Sequence, residues 1–180
     1  AQLYPHRVNQ LFRVGPVLYH AHFKRWQLES MADKPLYYEK TPCIGLCSTV
    51  YGDQVCRGCK RFSHEIVAWN RYDVAARKAV WQRLEQLLDQ VVWARLELVS
   101  TLELDQALEC SRVAVDAAMP LGVKVQRWLA RAGDLPLQTA GLRLRDRWEG
   151  LSTRQLRDEI DQTFLVLSQA YYDRRMPPVA

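Results

Sequence analysis

The run DVAARKAVWQRLEQLLDQVVW spans residues 73–93, and its apolar positions are regularly placed. Val80, Leu84, Leu87 and Val91 recur at steps of four, three and four residues, and Trp81, Leu88 and Val92 widen the stripe. This spacing predicts an amphipathic helix with a broad apolar face, running from Val74 toward Leu96. Asp73 stands where a side-chain acceptor caps the first free N–H groups. This face is expected to pack against the cysteine-bearing unit that precedes it, with Trp69 between them, rather than to dock a partner.

On the N-terminal side, Ser63 is expected to cap a short helix reaching about Asn70. Before that helix lie Cys43-Ile-Gly-Leu-Cys47 and, eight residues later, Cys56-Arg-Gly-Cys59. Four of the five cysteines thus fall within seventeen residues in the pattern C-x3-C-x8-C-x2-C. Such clustering reads as metal binding before disulfides. Each short pair can set two thiolates on one ion, and the turn signal Gly52-Asp53 lets the second pair return to the first. Gly45 and Gly58 offer the positive φ angles and close backbone approach that tight metal turns require. Cys43, Cys47, Cys56 and Cys59 are therefore the expected ligands, either of an iron-sulfur cluster or of Zn2+, since both accept four thiolates. Either leaves a net negative site, which Arg57, Lys60 and Arg61 lie close enough in sequence to offset. A site closed by four cysteines is structural or electron-transferring, because zinc catalysis keeps a position open. His64 is expected to be an exposed first-turn residue rather than a ligand, and the distant Cys110 a small buried apolar one.

These residues resemble a family. Thr41-Pro-Cys-Ile-Gly-Leu-Cys47, Cys56-Arg-Gly-Cys-Lys-Arg61 and Glu65-Ile-Val-Ala-Trp69 are similar to the domain of unknown function 1289 family, small bacterial proteins generally described as predicted iron-sulfur proteins. The resemblance covers roughly Pro42 to Leu88. It implies that the four cysteines are ligands and that Arg57, Gly58, Glu65, Ile66 and Trp69 belong to the same compact unit. It names a site rather than a function.

On the C-terminal side, Leu96-Glu-Leu-Val and Arg112-Val-Ala-Val-Asp116 carry strand-like content around a short helical segment near Asp105 to Glu109. Val123 to Ala132 predicts a helix stopped by Gly133, and Leu142 to Arg145 alternates like an edge strand. Ser152 with Gln155 forms a capping-box signature, and Leu156, Ile160, Phe164, Leu167 and Tyr171 then mark one helical face. Pro177-Pro178 is expected to end the ordered chain. The expected fold is helix-rich α+β: a four-cysteine knuckle, a long amphipathic helix and a small C-terminal α+β domain, with an all-helical domain there as the alternative. The divisions are a poorly ordered extension over 1–30, a metal-binding module over 31–95 and a helix-rich domain over 96–180.

The chain of 180 residues is 48% hydrophobic and 25% charged, enough to bury a core without disulfides. Its longest run free of Asp, Glu, Lys and Arg is the twelve residues Thr41 to Gly52, short of the roughly 20 that a membrane helix needs. The apolar stretch Val14 to Phe23 is broken by His20 and His22, so no secretory signal is expected. A cytoplasmic protein without a membrane partner follows. Residues 1–30 carry three of the five net positive charges and three of the four histidines, without periodicity. They read as an extension upstream of an alternative start at Met31, or else as a basic arm that orders on a partner.

The remaining charge of +2 does not call for nucleic acid. Arg57, Lys60, Arg61 and the alternation Arg143, Arg145, Arg147 nevertheless keep a nucleic-acid-binding adaptor as an alternative, with a solvated, charged strand edge as the plainer reading. Asp158, Glu159 and Asp161 are the carboxylates expected in a helix's first turns. The sequence has no glycine-rich phosphate loop, H-E-x-x-H or G-x-S-x-G, so no enzyme is expected. The function that follows is a cytoplasmic metal-binding protein whose closed four-cysteine site makes a structural or redox-responsive interaction module for a protein partner. Electron transfer to an enzyme is the alternative.

Overall fold

In a computed structural model, which describes residues 37–175, the stripe on residues 74–93 lies at the centre of the packing. The extension expected over 1–30 and the end expected at Pro177-Pro178 fall outside the described residues. The elements are α1 (Ser63–Ala68), α2 (Val74–Trp93), β1 (Leu96–Leu98), α3 (Thr101–Cys110), α4 (Leu121–Ala132), β2 (Leu142–Leu144) and α5 (Thr153–Arg175). The two strands pair antiparallel, Leu96 opposite Leu144 and Leu98 opposite Leu142. The fold is helix-rich α+β, and this pair removes the all-helical alternative.

Helix α2 forms because its cap and its stripe agree. Asp73 Oδ1 accepts the Ala76 N–H at 2.7 Å, satisfying one of the free donors of the first turn. All seven stripe residues, from Val80 to Val92, are buried. They pack against α4 and α5, where Val125, Trp128, Leu129, Leu156 and Ile160 are buried to 1% exposure or less, so the face expected to meet the cysteine unit is covered largely by the C-terminal helices instead. Leu104 and Leu108 of α3 and Leu96 and Leu142 of the strands complete the same core. Side chains buried this fully are worth roughly 1.5–3 kcal/mol each. The boundary expected after residue 95 falls between α2 and β1, two elements that share this core.

The capping box of α5 is formed in both directions: Gln155 Oε1 accepts the Ser152 N–H at 2.9 Å and Ser152 Oγ accepts the Gln155 N–H at 3.2 Å. Gly133 ends α4 at φ 59. Arg95, just past α2, stacks 4.4 Å from the Trp148 ring and bonds Glu159 and Thr163, tying the end of α2 to α5.

Several local expectations are corrected. Ser63 is the first residue of α1 rather than its cap; Phe62 holds that position, and Ser63 Oγ instead meets Gln54 Oε1 at 3.2 Å. Helix α2 stops at Trp93, because Leu96 is taken by the strand pair. Arg112 to Asp116 is not a strand. The chain reverses there, with Arg112 at φ 51 and the Val113 N–H bonded to Leu108 O at 2.9 Å, so its backbone closes the end of α3 rather than lying along a strand. The helical segment expected near 105–109 is longer, opening at Ser100, whose Oγ accepts the Glu103 N–H at 3.3 Å. Cys110 is exposed at the end of α3, not buried. Among the described residues, no helix is long and apolar enough to cross a membrane.

Candidate metal centre

The second cysteine pair sits in a hairpin. Val55 bridges Phe62, the Cys56 N–H donates to Arg61 O at 2.9 Å and the Lys60 N–H donates to Cys56 O at 2.8 Å. The turn between these bonds carries Cys56 and Cys59, and both are buried. Lys60 closes it at φ 60, a left-handed conformation unusual for a residue with a Cβ.

The first pair lies on an irregular loop. Gly45, at φ 87, donates its N–H to Cys43 Sγ at 3.4 Å, and Thr41 Oγ1 accepts the Cys43 N–H at 3.3 Å. Cys47 Sγ and Thr49 Oγ1 share a hydrogen bond at 3.1 Å. Cys43 is exposed and Cys47 half-buried.

The two halves touch. The Cys56 thiol donates to Leu46 O at 3.4 Å, and Ser48 Oγ accepts the Arg57 N–H at 2.8 Å. A Cβ on Gly58 would stand 2.5 Å from Leu46 O and 3.1 Å from the Ile44 side chain, so this glycine is needed for close approach, not for its φ. Burial pushes the Cys56 thiol up, but the N–H groups of Cys59, Ser48 and Gly58 outweigh it and bring it down to about 7. At Cys59 burial prevails over the lowering effect of Arg61, and the thiol is raised.

The three basic residues take different roles. Arg61, 3% exposed, donates Nε–H to Cys59 Sγ at 3.4 Å and lies 4.8 Å over the Trp69 ring. Lys60 is buried and bonds carbonyls and a carboxylate, not sulfur. Arg57 is exposed and pairs with Asp53 at 2.9 Å. Only Arg61 of the three makes the expected contact to a cysteine. His64 is exposed on the first turn of α1, as expected.

Further residues hold the knuckle to the core. Glu65 Oε2 accepts the Phe62 N–H at 2.9 Å and Arg83 Nη2 at 2.6 Å, and the Arg83 guanidinium lies 3.8 Å over the Phe62 ring. Tyr172 of α5 packs edge-on against Phe62 and donates its hydroxyl to Gln54 Oε1 at 3.0 Å. The resemblance had pointed to Glu65; nothing local pointed to Arg83, to Tyr172, or to Asp161 of α5, the carboxylate that Lys60 meets. The arginines set aside for phosphate do not face one way. Arg143 pairs with Glu97 at 2.7 Å, Arg145 caps the carbonyls of Trp93 and Leu96, and Arg147 lies near the Trp148 ring.

Comparison with known families bears on this segment directly. A family model described as Protein of unknown function (DUF1289) matches residues 41–88. That segment is similar to this family. The DUF1289 segment begins two residues before Cys43 and stops inside α2 at Leu88, so the helices α4 and α5 that cover the stripe lie beyond it. No curated protein and no solved structure matches the chain.

The donor set of the DUF1289 segment has the chemistry of a thiolate metal site, and the backbone brings its halves into contact. The side chains do not converge: among the described residues, no three His, Cys, Asp or Glu groups are placed to hold a metal ion. Each of Cys43, Cys47 and Cys56 instead has a hydrogen-bond partner in its own or the facing loop.

Proposed function

We propose that the cysteine knuckle binds a metal centre through the thiolates of Cys43, Cys47, Cys56 and Cys59, and that the protein serves in the cytoplasm as a structural or redox-responsive interaction module. The observation that carries this reading is the contact between the two half-sites, where Gly58 lets the Leu46 carbonyl lie against the Cys56–Cys59 turn. An iron-sulfur cluster, when bound, supplies one-electron chemistry; zinc in the same site supplies a cross-link. The chain's own part is to present thiolates, and the N–H donors around Cys56 favour that form. The expected reducing location agrees with thiols clustered at metal-ligand spacing.

A second reading, electron transfer to a partner enzyme, is supported by the Arg61 N–H on Cys59 Sγ, because hydrogen bonds to cysteine sulfur tune a cluster's potential. Metal analysis and an absorption spectrum after anaerobic purification test both. The expected outcome is stoichiometric iron with sulfide, lost in Cys56→Ser and Cys59→Ser together with stability, since binding free energy at such sites is also folding free energy. Stoichiometric zinc in a colourless protein would end the electron-transfer reading. Metal-free wild-type protein, or unchanged metal in both mutants, would end the metal-site reading.

A further inference from the structure

Lys60 follows the last cysteine directly, and its side chain is only 2% exposed. Its ammonium has three N–H donors and meets three acceptors: Arg57 O at 2.7 Å, Gly58 O at 3.2 Å and the Asp161 carboxylate of α5. The two carbonyls belong to the residues between Cys56 and Cys59. A buried ammonium without a counter-charge is costly, and Asp161 is the carboxylate that pairs with it. The left-handed backbone at Lys60 has a cost of its own, which the bonds around it must offset. Asp161 lies far beyond residue 88, outside the DUF1289 segment.

We infer that Asp161 is a positioning residue for the cysteine site: by holding the Lys60 ammonium on the Arg57 and Gly58 carbonyls, it keeps the Cys56–Cys59 turn in one form. The turn therefore depends on α5, an element the family segment does not contain. The contact network stands by itself, and the consequence for metal retention rests on the metal-site reading above. Asp158 is the natural control, because it lies on the same helix and is exposed, with its neighbour Arg157 as its ion-pair partner.

The test compares wild type, Asp161→Leu, Asp161→Asn, Asp161→Glu and Asp158→Asn as full chains, well below their melting temperatures. One arm measures alkylation of Cys56 and Cys59 by iodoacetamide in the metal-free protein, residue by residue. The other measures loss of iron or zinc to a chelator from metal-loaded protein. Asp161→Leu is expected to raise alkylation at the turn and speed metal loss about tenfold, Asp161→Asn by less, with Asp161→Glu close to wild type and Asp158→Asn unchanged. Asp161→Asn keeps the side-chain volume and an acceptor, and it carries the decision where Asp161→Leu does not fold. Alkylation equal to wild type in folded Asp161→Leu or Asp161→Asn would overturn the positioning role. A wild type that holds no metal overturns the metal-site reading, and the alkylation arm still decides the role of Asp161.

Discussion

Arg61 reaches back across one residue to place its Nε–H 3.4 Å from Cys59 Sγ while its guanidinium covers the Trp69 ring. One side chain thus stabilises thiolate character at Cys59 and ties it to the aromatic residue at the end of α1. Arg61→Met keeps much of the apolar stem and removes the donor. It is expected to lower metal retention at least tenfold in a chelator competition, and Arg61→Lys to restore little, because an ammonium lacks the planar stack. Wild-type retention in Arg61→Met would show that the contact has no part in holding the proposed metal.

Gly58→Ala tests the contact between the half-sites. The new Cβ would stand 2.5 Å from a backbone oxygen, Leu46 O, which cannot swing aside as a side chain can. The expected cost is about 1–3 kcal/mol in urea unfolding, with Cys56 more open to alkylation. Gly45→Ala provides the comparison: its Cβ meets nothing within 4 Å, and only the φ of 87 opposes it. Equal alkylation of Cys56 in the two variants would argue against close approach as the reason for Gly58.

Glu65 and Arg83 form a pair in which each partner is 8% exposed at the side chain. Burial pulls Arg83 below its ordinary value, and Glu65 opposes that shift. Glu65→Ala strands the guanidinium and leaves the Phe62 N–H without its acceptor, for an expected loss of roughly 3–5 kcal/mol. The double change Glu65→Leu with Arg83→Met should recover much of it, since a well-packed apolar pair avoids the desolvation cost. Strictly additive losses in urea denaturation would refute the coupling.

Glu85, on the side of α2 near Tyr37, gives a pH dependence. Burial pushes its carboxyl from the ordinary 4.5 up to about 7; the Tyr37 hydroxyl pulls the other way and Asp89 adds to the rise. With the folded value above the unfolded one, the contribution to stability is complete below about 4.5 and is lost as pH rises through about 7. Across that window wild type should lose up to roughly 3 kcal/mol relative to Glu85→Gln, whose side chain cannot ionise. Parallel stability curves for the two proteins between pH 4.5 and 8 would contradict this.

Periodicity and short-range chemistry were legible before any coordinates. The α2 stripe, the Asp73 cap, the Ser152–Gln155 box and the Gly133 stop all formed, because each depends on residues within one or two helical turns. The cysteine pattern marked one segment as the candidate site. The strand assigned to Arg112–Asp116 failed for a different reason: β content is expressed only where the backbone lies along another strand, and here the chain turns back on the end of α3, with Arg112 at φ 51 and the Val113 N–H on Leu108 O.

Cys110 shows the same limit, since its exposure depends on what covers the end of α3 and not on its own apolarity. Lys60 and Arg61 are adjacent and both basic, and in sequence they look alike. In the folded chain one ammonium is buried on Asp161, 101 residues away, while the neighbouring guanidinium turns to Cys59. Backbone geometry sets which residues share a turn or a helix face, so spacing alone encoded the helices and gathered the cysteines into one segment. Which buried charge meets which partner depends on desolvation by distant elements, and that came only from packing the knuckle against α5.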